Sequence, residues 1–210
     1  MTFANVSIRR LKGASVAAML AFSGAVGAVP VLTSFTPTAG VTSGTYSLGY
    51  QFVTTAPLQV NSLGFYDSGR DGLVSDHSVG IFSAGGTLLG SAVVGPSATT
   101  LVGDFRYVDL ASPINLATGT TYYIAGTAGG DSDGWVYLAS NILTSGIDYT
   151  GSYYRAGATT LNFISALRAT SREYMTVNFD ATPVAEPQVY ALMLAGLAII
   201  GLVGHRRRPR

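Results

Sequence analysis

Cysteine is absent from this 210-residue chain. That excludes disulfides, thiolate chemistry and any zinc site that needs sulfur. Charge is also scarce, at 11% of residues, and its sign is unevenly placed. The only lysine is Lys12, and the basic residues gather at the two ends, Arg9, Arg10 and Lys12 at the start and Arg206, Arg207, Arg208 and Arg210 at the finish. All the acids lie between residues 67 and 186, opposed there only by Arg70, Arg106, Arg155, Arg168 and Arg172. The middle of the chain is therefore acidic and lacks the basic footprint a nucleic-acid binder needs. Helical periodicity is missing there too, and no repeat of fixed period appears, which argues against a solenoid or propeller.

The composition that remains is rich in Gly, Ser, Thr and Tyr and suits one β-rich domain that lies outside the cell. Without disulfides such a domain must hold together through its core, which a segment of about 150 residues can supply.

The first 28 residues read as a secretory signal peptide. A charged start at Arg9, Arg10 and Lys12 precedes an apolar run from Ala14 to Val26. That run is too short for a stable anchor, and small residues at Val26–Ala28 offer a signal-peptidase site. At the other end, residues 189–204 carry no charge. At 1.5 Å per residue they cover roughly 24 Å, slightly under a hydrocarbon core, so an untilted transmembrane helix is expected. The cluster HRRRPR would stay on the cytoplasmic side of the inner membrane.

From Leu32 to Thr182 short β-type runs alternate with turn signals. TYSLGYQFVTT alternates at Tyr46, Leu48, Tyr50 and Phe52, and LQVNSLGFYD, HSVGIFSAGG, TLLGSAVVG, FRYVDLAS, WVYLAS and EYMTVNFDA are further strands. Gly85-Gly86 predicts a two-residue hairpin with both glycines at positive φ. The segment from Ala139 to Leu167 reads as a long, adaptable loop. The fold expected is an all-β, single antiparallel β-sandwich over 32–182, jelly-roll or immunoglobulin-like.

Chemistry is thin. Serines are plentiful, but there is no Gly-x-Ser-x-Gly elbow, and the only histidine of the middle domain is His77, expected to open a strand as a half-exposed polar residue. No carboxylate pair of glycosidase type stands out. These features predict no enzyme, with a secreted hydrolase as the alternative from another class. Two acidic loops are candidate calcium sites, YDSGRDGLVSDH with Asp67, Asp71 and Asp76, and GGDSDGW with Asp131 and Asp133. The competing reading is that Asp and Gly are there to make turns. Trp135, Tyr137, Tyr149, Tyr153 and Tyr154 gather nearby. They offer a sugar-stacking surface or, alternatively, core.

The tail carries the most specific signal. Ala185-Glu186-Pro187, a short apolar helix and Arg206-Arg207-Arg208 resemble the PEP-CTERM sorting tail of Gram-negative, exopolysaccharide-producing bacteria, with alanine in place of the first proline. The resemblance implies recognition by an exosortase, a membrane-embedded transpeptidase-like enzyme that cuts near Glu-Pro. The inner membrane would anchor the chain only until then, and the product would be released or attached outside the cell. The order of motifs over Tyr46–Gly126 resembles a surface β-sandwich module that often accompanies this tail. The function expected is a non-enzymatic surface or extracellular-matrix protein, with a lectin-like module that binds extracellular polysaccharide as the alternative.

Overall fold

The structure is a computed structural model that describes residues 28–130, 132–167, 173–184 and 193–200. The signal segment through residue 27, Asp131, and the sorting residues Glu186, Pro187, Arg206, Arg207 and Arg208 lie outside the described residues. Of the expected span over 189–204, a helix is described over 193–200. Among the described residues no helix is long and apolar enough to cross a membrane.

The domain is all-β. One sheet has the order β1 (Val29–Pro30), β13 (Val177–Pro183), β4 (Leu58–Tyr66), β8 (Phe105–Leu116), β7 (Thr100–Val102). A second runs β12 (Ala166–Leu167), β11 (Ile147–Ala156), β3 (Tyr46–Thr54), β9 (Thr121–Ala128), β5 (His77–Ser83), β6 (Leu88–Val94). A pair of β10 (Trp135–Thr144) and β2 (Leu32–Val41) completes the fold, and every pairing is antiparallel.

Period-two alternation explains the core. Leu48, Tyr50 and Phe52 of β3 turn to one face, where they meet Leu63 and Phe65 of β4 and Phe179 of β13 in a single buried cluster. Phe52 and Phe179 face each other across the two sheets at 5.1 Å between ring centroids. Each such fully buried side chain contributes roughly 1.5–3 kcal/mol. This is the sandwich arrangement the alternation predicts.

Two expectations need correcting. The expected loop over Ala139–Leu167 is largely strand: β10 continues to Thr144, β11 pairs with β3, and β12 pairs with β11. Its Ser-, Gly- and Tyr-rich sequence shows no clean apolar period because the ladder to β3 holds it through backbone hydrogen bonds, with most of its side chains half-buried or exposed. Residues 157–165 do form an extended connection, and it is packed down. Leu161, Phe163 and Ile164 cover Phe82, Tyr123, Ala125 and Tyr153 on the outer face of the six-stranded sheet. Ser47 fastens the connection by accepting from Asn162 N at 2.9 Å and donating to Thr160 O at 3.2 Å.

The hairpin at Gly85-Gly86 is present between β5 and β6, but its form differs. Gly86 has φ +85° and Gly85 does not take a positive value. Gly86 N donates to Ser83 O at 3.0 Å, and Ser83 N donates to Thr87 O at 2.9 Å. That is a three-residue connection ending in a left-handed glycine, which needs only one positive φ.

Candidate functional site

The two acidic loops do come together. Residues 67, 68 and 71–74 of the β4–β5 connection and 132–134 of the β9–β10 connection line one cleft of about 370 Å³, with Asp67, Asp71 and Asp133 on its walls. Asp76 sits instead beside His77, Thr45 and Gly129 at a separate hollow of about 210 Å³.

Protein donors already engage the two buried carboxylates. Asp67, 1% exposed, accepts from Gly72 N at 3.2 Å and from Arg106 Nε at 2.6 Å, while Arg106 Nη1 donates to Ala98 O. Asp133 accepts from Val74 N at 2.9 Å, Ser75 N at 2.8 Å and His77 Nε2 at 2.9 Å. Burial alone would raise the Asp133 carboxyl, but the His77 bond and the two backbone N–H groups outweigh it and hold it below its ordinary value. Among the described residues, no group of three or more His, Asp or Glu is placed to hold a metal ion. Asp71 and Asp76 are exposed.

His77 opens β5 as expected, but it is 1% exposed rather than half-exposed. Its ring stacks on Phe65 at 3.7 Å with a 5° interplanar angle. Nδ1 lies 2.9 Å from Thr127 O, and Nε2 lies 2.9 Å from Asp133 Oδ2. Both partners are oxygen acceptors, so neither ring nitrogen faces a donor. Among the described residues, the contacts of the ring nitrogens are with Thr127 O and Asp133 Oδ2 and not with a Ser or Thr hydroxyl.

The aromatic residues singled out from sequence do not form one surface. Trp135 is core, and Tyr137, Tyr149 and Tyr154 pack half-buried against it. Tyr153 lies on the opposite face of the sheet, edge-on to Tyr123 at 5.1 Å.

A larger cleft, about 420 Å³, lies elsewhere and was not anticipated. Val29 and Pro30 of β1, Phe35 of β2, the β7–β8 turn at Val102–Phe105, and Arg70 line it. Arg70 Nε donates to Asp104 Oδ1 at 2.7 Å. Arg70 also holds φ +62°, a left-handed value rare outside glycine. The sequence signal was the basic residue inside an otherwise acidic Asp-Gly turn, SGRDG, which the acidic reading passed over.

No curated protein matches the chain. A family model described as "Domain of unknown function (DUF4082)" matches residues 34–179, more than half of the chain and nearly the whole sandwich, and the chain belongs to that family.

Proposed function

We propose that this is an exported, non-enzymatic surface or extracellular-matrix protein. Signal peptidase removes residues 1–28, a tail helix over 189–204 anchors the chain transiently in the inner membrane, and an exosortase cuts at Glu186-Pro187. The cargo is a sandwich of jelly-roll or immunoglobulin-like kind. The observation that carries the non-enzymatic part is how the buried ionisable groups are used. Asp67 with Arg106 and Asp133 with His77 fasten loops to strands, and both His77 nitrogens face acceptors. A group held in that way is unavailable as a base for a hydroxyl nucleophile.

Mass spectrometry of the exported protein tests the sorting part. The expected result is a start at Val29 and a C-terminus shortened to the Glu186-Pro187 region. Recovery of a chain ending at Arg210 from the exported fraction would overturn it. Replacing Glu186 should leave the protein in the inner membrane.

A second reading is a module that binds extracellular polysaccharide. The cleft at Arg70 and Asp104 favours it, because it combines apolar walls with a few convergent polar groups.

A further inference from the structure

Arg70 is an expensive residue for its position. Gly69 before it has φ +92° and Gly72 after it φ +108°, so this loop uses glycine at two of its left-handed positions and arginine at the third. Glycine at position 70 would relieve the backbone strain. The ion pair gives little stability in return, since the two side chains are 58% and 37% exposed. Strain kept without a structural gain points to a ligand.

The cleft shows what kind of ligand. The Arg70–Asp104 contact runs through one nitrogen and one oxygen, Nε to Oδ1. That contact uses neither the guanidinium Nη groups, which are donors, nor Asp104 Oδ2, an acceptor. Neighbouring hydroxyls on one ring match that pair, one donating to the carboxylate and the other accepting from the guanidinium. An anion fits poorly, because Asp104 offsets the arginine and would repel it. The walls add the second half of the match. Val29 is 49% exposed and Val102 46% exposed at the rim, and half-buried Phe35 lies edge-on to Tyr66 with 5.9 Å between ring centroids. Such apolar surface suits the C–H face of a pyranose ring. A volume of about 420 Å³ lies within the range of small-ligand sites.

We infer that the cleft between β1–β2 and the β7–β8 turn binds a neutral pyranose through a vicinal diol held by Arg70 and Asp104. This rests on the polysaccharide-binding reading and assigns its site, and it is independent of how the chain is sorted. The test uses the full chain purified in detergent, with methyl glycosides of mannose, galactose, glucose and fucose as probes. Glucuronate, inorganic phosphate and a short extended peptide serve as counter-probes. Binding is read by saturation-transfer NMR. At least one neutral glycoside should bind at millimolar concentration, and Arg70→Gly and Asp104→Asn should each weaken it about tenfold or more. Arg70→Gly should do so without lowering the melting temperature, which a merely structural role would not allow. Binding of none of the neutral glycosides overturns the inference, as does binding that Arg70→Gly leaves unchanged. Preference for phosphate, glucuronate or the peptide also overturns it. Wild-type binding of no probe would remove this site and leave the surface-protein reading standing, because that reading is tested separately by the termini of the exported protein.

Discussion

His77 Nε2 lies 2.9 Å from Asp133 Oδ2, although 56 positions separate the two residues in the chain. This contact ties the start of β5 to the loop before β10, and Asp133 extends the tie by accepting from the backbone of Val74 and Ser75. One carboxylate thus closes two loops whose amides would otherwise be left without acceptors. The Asp-Gly letters of these loops serve folding first.

Asp133→Ala should therefore be severe. It strands two backbone N–H groups and a buried imidazole, at a cost of about 3–5 kcal/mol. In a domain of this size that lowers the melting temperature by roughly 10 °C. The pH dependence has a defined sign. Asp133 is held below its ordinary value of 3.8, so the unfolded chain binds this proton more tightly. Its contribution is complete above 3.8 and disappears as pH falls through the lower folded value. Urea unfolding at stepped pH checks this: the acid loss of stability should be shallower in Asp133→Ala than in the wild type.

Gly49 is required for space rather than for φ. A Cβ there would stand 2.1 Å from Ile124 O on the neighbouring strand β9, and backbone cannot swing aside. Gly49→Ala should cost about 3 kcal/mol through forced displacement of the ladder. Gly119 gives the contrast, with φ +66° and nothing within 4 Å of the added carbon. Gly119→Ala should cost only about 1 kcal/mol, from conformational strain alone. Chemical denaturation of the two variants would reveal the order, and a larger loss at Gly119 would contradict this account.

How much of this was legible in sequence follows the range of each interaction. The β3 alternation at Leu48, Tyr50 and Phe52 was readable because one face of the strand is wholly core. The Asp67 turn was readable because its acceptor and the Gly72 donor lie five residues apart. The burial of His77 was not, since its partners stand 50 and 56 positions away. The Arg70–Asp104 pair joins two loops 34 positions apart, and nothing local marks it. β11 was missed for another reason. Its sequence, IDYTGSYYRA, owes its place to backbone pairing with β3, and periodicity detects side-chain burial instead.

Glu173 predicts a second, opposite pH effect. Burial pushes its carboxyl above the ordinary value of 4.5. Ser152 donates to Glu173 Oε2 at 3.1 Å while accepting from Tyr174 N at 2.7 Å. Here the folded chain binds the proton more tightly, so stability falls as pH rises from 4.5 through the raised folded value. This window lies above the one set by Asp133, and the two can be separated in one titration. Glu173→Gln keeps an acceptor for Ser152 and should remove the slope above pH 4.5 while leaving the acid limb intact. An unchanged slope in that variant would show that the titrating group is elsewhere.

Calcium is the last test, and the geometry sets its expected result. A cation that binds only the folded chain raises stability by about 2.7 kcal/mol at a hundredfold excess over Kd. In this domain that is a melting shift of about 5 °C or more. Such a site needs six to eight oxygens free to turn toward the ion. Asp67 is engaged by Gly72 and Arg106, and Asp133 by Val74, Ser75 and His77. Calcium would have to displace an arginine and a histidine to reach those oxygens, exchanging hydrogen bonds already made for new contacts. Thermal unfolding in millimolar calcium and in chelator should therefore superimpose. A shift of about 5 °C that Asp71→Asn or Asp131→Asn abolishes would instead show that carboxylates other than Asp67 and Asp133 recruit the ion without breaking either pair.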